Sequence, residues 1–377
     1  MNDETSEPTT EDGPSLIESD VASTLDRFGS SERSIVGLTV LAVAVFPWLF
    51  VRAPVISGLF RGYQSLASLI LIWGIFALGF NLLLGYTGLL SFGHAAFWGG
   101  AAYAAGIFSA SVSGSPVLMV LFGTLFAVLL AWILGFVSLR RGGIYFSILT
   151  LAFGQMAYYL ALSPLQGLTN GENGFTDVDV GNLFGFLDAF SAFESIPLGT
   201  PVPLLGDWLY VFVGAITVLC VAAVVRILHS PYGLVFKAIR ENEQRASFVG
   251  LNVWRYKLMA FILSGAFAGV AGSLFVVHGS YVPVESLYWT TSGEIVVMTV
   301  LGGVGSMVGP MLGAGLYLYV ENVVSGDPAI QPYWHLILGL IFVAVIALFP
   351  EGIWGIVGRV RETFSAPSTD AEQGGEN

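Results

Sequence analysis

Positive charge is scarce in this chain. Lysine and arginine together number 14 among 377 residues, and Lys237 and Lys257 are the only lysines. Neither follows a glycine, so no GxxxxGK[ST] phosphate loop exists and the chain cannot cradle ATP in that way. Cysteine occurs once, as Cys220 in an apolar run, which excludes an internal disulfide and gives no support to a thiolate metal site. His94, His229, His278 and His335 lie too far apart for metal-ligand spacing. No GxSxG elbow or helical HExxH is present. These absences argue against an enzyme, and neither a cofactor nor a metal is expected.

What fills the chain instead is apolar. Hydrophobic residues make up 55% and charged residues 11%, against about 25% charged in ordinary globular domains. Apolar runs fall at about 34–51, 65–84, 88–109, 117–138, 144–162, 207–228, 256–277, 291–304, 306–324 and 334–350. Most are long enough to cross a hydrocarbon layer about 30 Å thick. The expected fold is an all-α polytopic membrane bundle of about 8–10 transmembrane elements over residues 34–358. The run 291–304 is short and "LGGVGSMVGP" follows at 301–310, so this element is a candidate for a bent or re-entrant segment. Gly265, Gly269 and Gly272 have the spacing of close helix packing. The lipid bilayer is one partner; nucleic acid is not expected.

The net charge of −12 comes largely from the ends. Nine acids lie in residues 1–33 among Ser, Thr, Gly and Pro, and residues 359–377 form a second polar tail. Both lack the apolar content to fold. The first tail has no basic start leading into a short apolar core, so it does not read as a cleavable signal. Arg140 with Arg141, the group from Arg226 to Lys257, and Arg359 with Arg361 mark three cytoplasmic regions. Parity then gives ten crossings with both termini inside a plasma membrane, if 291–304 crosses; Arg52 and Arg61 fall outside against the rule. Residues 163–206 become an external segment with five acids and no bases.

Five of the 14 basic residues sit in "GLVFKAIRENEQRASFVGLNVWRYK" at 233–257. Ser230-Pro231 is a helix start and Gly250 a stop. Val235, Ile239, Ala246 and Val249 share one helical stripe with Asn242. Lys237, Arg240, Glu241, Gln244 and Arg245 face elsewhere, and Glu241 stands i, i+4 before Arg245. This predicts a short amphipathic cytoplasmic helix. Periodicity leaves two uses open: lying on anionic lipid, or docking in a groove of a cytoplasmic partner.

Polar residues inside apolar runs are candidates for a translocation path. Asn81, Tyr86, Thr87, Ser91 and His94 lie in "NLLLGYTGLLSFGHAAF", whose glycines can interrupt a helix and free backbone groups. The alternative has the hydroxyls bonding back to the helix and His94 satisfied in the interior. Glu294 and Glu321 are acids in apolar segments, costly there and often functional. Glu294 could instead serve a helix start, and Glu321 could reach water.

"FKAIRENEQRASFVGLNVWRYKLMAFILSGAFAGVAGSL" resembles the cytoplasmic loop and following span of branched-chain amino acid ABC transporter permeases of the LivM type. "GFNLLLGYTGLLSFGHAAFWGGAAYAAG" at 79–106, "RRGGIYFSILTLAFGQM" followed by "LTNGENGF" at 168–175, and "VLGGVGSMVGPMLGAG" at 300–315 resemble further stretches of that family, in order. The resemblance runs from about residue 65 to 355. It implies a permease paired with a second, homologous permease, driven by two cytoplasmic ATP-binding-cassette ATPases and supplied by an extracytoplasmic substrate-binding protein. It also implies a coupling loop of Lys237, Arg240, Glu241, Asn242, Arg245, Ala246 and Gly250 seated on an ATPase. Urea, short amides and other amino acids are alternative cargoes of the same machinery. From another class, a self-contained channel or secondary carrier would need no docking helix.

Overall fold

The computed structural model describes residues 34–46, 64–183, 207–325, 331–348 and 352–355. The expected tails at 1–33 and 359–377 and part of the acidic segment, 184–206, lie outside the described residues.

Ten apolar helices match the ten apolar runs. They are α1 (Ser34–Phe46), α2 (Gln64–Thr87), α3 (Ala95–Ser111), α4 (Pro116–Ser138), α5 (Ile144–Leu162) and α6 (Trp208–Leu228). Two short polar helices follow, α7 (Pro231–Glu241) and α8 (Glu243–Phe248). The bundle is completed by α9 (Val253–Gly279), α10 (Trp289–Gly302), α11 (Gly309–Ser325) and α12 (Trp334–Leu348). Among the described residues, six helices are long and apolar enough to span a membrane by length and composition, while α1, α3, α10 and α11 are shorter.

The core sits between α2 and α9. Ile72, Ile75, Phe76 and Phe80 of α2 are fully buried. Their neighbours across the core include Trp98 of α3 and Phe261 of α9. Small residues set the approach of α9: a Cβ at Gly265 or Gly269 would meet Ala131 or Ala127 of α4, and one at Gly272 would run into the Trp98 carbonyl. Close backbone approach is how helices associate where lipid removes the hydrophobic drive. The faces of α4 and α5 carrying Leu121, Leu125, Trp132, Ile144 and Tyr145 are exposed, as in helices whose solvent is hydrocarbon.

Two stretches depart from simple spans. The run 88–109 becomes helical only at Ala95, because Gly88 adopts φ +73° and the chain from 88 to 94 is irregular. "LTNGENGF" forms compact turns, with Asn170 left-handed at φ 66° and Thr169 Oγ1 donating to the Ala161 carbonyl. Phe175 then pairs antiparallel with Val282, at 2.9 and 3.0 Å, tying this segment to the chain after α9.

Candidate coupling and transport sites

The basic segment is two helices rather than the single one expected. Asn242 is extended at φ −159°, ψ 103°, and its Oδ1 accepts from the Arg245 amide at 2.9 Å, capping α8. A residue that competes with helical backbone bonding thus ends α7 and starts α8. The stripe breaks there too. Phe236, Ile239 and Ala246 are buried, while Val249 is 82% and Phe248 89% exposed. Glu241 and Arg245 fall on different helices, and Lys257 Nζ pairs with Glu243 Oε2 at 2.6 Å. Ser230 stands before Pro231 as expected, but its hydroxyl donates backwards to the Ile227 carbonyl at 2.6 Å instead of capping α7.

Arg240, although exposed, reaches back to the end of α2. Its Nη1 donates to the Gly85 carbonyl at the end of α2, and Cβ atoms at Gly88 or Gly305 would lie 3.5 and 3.0 Å from its side chain. Lys237 places Nζ over the Tyr86 ring at 5.9 Å, at the edge of cation–π range. Asn81, one turn before Gly85, is 1% exposed. Its Nδ2 donates to the Ser306 carbonyl and its Oδ1 accepts from the Gly305 amide, both at 2.8 Å. One side-chain amide therefore satisfies two backbone groups of the turn between α10 and α11. Gly85 has to be glycine here, since a Cβ would collide with Asn81 Oδ1. The 14-residue α10, about 21 Å long, accordingly ends beside the α7 end of α2.

The other polar residues near α2 are also engaged. Thr87 Oγ1 donates to the Leu83 carbonyl, and Ser91 Oγ receives the Gly93 amide at 3.4 Å. His94 is fully buried, with Nε2 2.8 Å from Ser264 Oγ. Its ring stands edge-on to Phe80, Phe97 and Phe261, with centroids 5.0, 5.3 and 5.9 Å away, and its Nδ1 has no partner among the described residues. Ser292 of α10 accepts the Ala95 amide at 2.8 Å, at the start of α3.

Glu294 and Glu321 come together at the other end of the bundle. They line a cavity of about 340 Å³ between the start of α2 (Leu66, Leu69, Trp73) and α9, α10 and α11. The carboxylates are near enough to repel each other, and both act on Tyr317 of the same wall. Tyr317 is 5% exposed. Sequence reasoning found the two acids but missed Tyr317, Trp73, Ser264 and Ser292. Tyrosine or serine in an apolar helix carries no signal of what it will face, and only the Gly-rich run marked the turn that Asn81 holds.

A bundle of apolar helices, six of them long enough to span a membrane among the described residues, with polar side chains bonded across its interior, is the architecture of a multi-pass membrane protein. Residues 62–346 match the family model for branched-chain amino acid transport system permease components. The chain belongs to that family. It is 31% identical over 329 residues to the high-affinity branched-chain amino acid transport permease LivM of Escherichia coli K12, covering 85% of this chain and 74% of the relative. It is also 24% identical over 295 residues to the permease LivH of Salmonella typhimurium, covering 75% and 91%. A probable LivM permease of Methanocaldococcus jannaschii is 24% identical over 343 residues, covering 77% and 93%. No solved structure matches the chain.

Proposed function

We propose that this chain is one permease half of an importer that moves branched-chain amino acids inward across the plasma membrane. It pairs with a second, homologous permease, is driven by two cytoplasmic ATP-binding-cassette ATPases, and receives solute from an external binding protein. The similarity to both LivM and LivH permeases supports the pairing. The α7 end is then cytoplasmic, as the clustered basic residues require, and both termini lie inside.

The single observation carrying the coupling role is the contact of Arg240 with Gly85 and the Gly305 turn. Lys237, Glu241, Asn242, Arg245, Ala246 and Gly250 make up the rest of the docking element. Exposed Phe248 and Val249 give it an apolar tip. A push on α7 by a closing ATPase reaches α2 through Arg240 and the α10–α11 turn through Asn81. Rigid elements joined by hydrogen bonds are a physical route for such coupling.

For the path, the proposal rests chiefly on Glu294 and Glu321, which face open space. Asn81, Thr87 and His94 hold backbone or core, and Tyr86 and Ser91 stand beside them. The test is leucine-dependent ATP hydrolysis and uptake by the reconstituted complex. Uptake without any ATPase subunit would favour a self-contained carrier. Stimulation by urea or short amides alone would change the cargo and keep the machine.

A further inference from the structure

The cavity at the end of α2 away from α7 is lined by two carboxylates and a tyrosine hydroxyl. Glu294, Glu321 and the Tyr317 hydroxyl have no hydrogen bond or ion pair among the described residues, although Tyr317 is 95% buried by its 5% exposure. Buried polar groups are nearly always partnered, so each exception asks for an explanation. Two carboxylates lining one cavity repel each other, and a cation entering between them relieves that repulsion. Trp73, an aromatic ring on the same wall, is a further group able to attract a cation. Leu69, Phe275 and Leu318 make an apolar side of the wall, and Asn322 and Ser325 add further polar groups. At about 340 Å³ the space lies in the range of small-molecule sites.

The geometry points to a transit subsite for an aliphatic amino acid, its ammonium group held by Glu294 and Glu321, its carboxylate met by the Tyr317 hydroxyl, and its side chain against the apolar wall. This rests on the transport reading above and adds which solute group each wall takes. Asn322, at the same rim, supplies a second donor for the carboxylate. The wall accommodates any aliphatic shape, so the subsite selects for the amino group and leaves finer discrimination to other parts of the importer.

Binding to the full chain in lipid nanodiscs tests this directly, with L-leucine, 3-methylbutylammonium and 4-methylpentanoate as probes. The first two should bind, and the last, lacking the amino group, should not compete. The double variant Glu294→Gln with Glu321→Gln should weaken both ligands at least tenfold. Tyr317→Phe should weaken leucine about threefold and leave 3-methylbutylammonium unchanged, a split that a merely structural role would not produce. Equal leucine binding by the double-glutamine variant overturns the proposal. So does a site emptied by KCl that never takes leucine, since that is an inorganic cation site. Should the double variant not fold, the Tyr317→Phe split decides alone. Failure of leucine-dependent ATP hydrolysis in the complex would count against the importer reading, whereas failure of amine binding counts against the cavity only.

Discussion

The two ends of the bundle treat polar groups in opposite ways. At the α7 end, Asn81, Arg240 and the turn at 305–306 are joined by hydrogen bonds into one connected patch. At the other end, Glu294, Glu321 and Tyr317 line open space and have no hydrogen bond or ion pair among the described residues. Satisfied networks make a region stiff and specify its geometry, which suits a part that transmits force. Groups left unsatisfied keep their capacity for something that comes and goes. Under the proposed function, the contrast distinguishes a coupling element from a path within one chain.

The strongest way to break the comparison lies at Gly250. It has φ +89° and nothing within 4 Å of a Cβ, so a substitution there starts into open space. Gly250→Ala carries the backbone strain alone, about 1–3 kcal/mol, while Gly250→Trp adds bulk outside. Loss of nearly all coupled uptake in the tryptophan variant, with ATP hydrolysis and membrane level retained and the alanine variant much less affected, is the expected outcome. Equal uptake by both would remove the docking role.

Next in size is Asn81→Leu. It leaves the Gly305 amide and Ser306 carbonyl unpaired, at roughly 1–3 kcal/mol for each buried group. Thermal unfolding of the purified protein should fall clearly, and uptake with it. An unchanged melting temperature would mean that the turn finds other partners.

Arg240→Lys should do less. It keeps the charge but loses the planar fork that reaches Gly85. Solute moved per ATP hydrolysed should drop several-fold at normal protein levels. An unaltered ratio would place the coupling route elsewhere.

The smallest effect is expected at His94. Replacing it with Phe removes the Ser264 bond, about 1 kcal/mol, and leaves the aromatic packing. Uptake should stay within about twofold and keep its pH profile. A large loss of transport without loss of stability would return His94 to the path.

Much of this was legible beforehand. The ten apolar runs anticipate the ten helices because hydrophobic length is a direct requirement of the bilayer. Asn242 shows where legibility ended. On periodicity it extends a helical stripe, yet its side chain prefers to cap, and capping split the element and left Val249 exposed. Asn81 and Glu294 look alike in sequence, each a polar residue in an apolar run. One proved to be bonded at both ends of its amide, and the other faces a cavity.

The sequence by itself determined the all-helical membrane class, the number of apolar elements, the position of the basic segment and the family. Each follows from local composition, spacing or wording that one stretch of chain carries alone. Only the tertiary structure decided which polar residues were partnered. Asn81 meets Ser306 across 225 positions and Arg240 meets Gly85 across 155. Pairings at such separations depend on how α2, α7 and the α10–α11 turn pack, which no local pattern encodes.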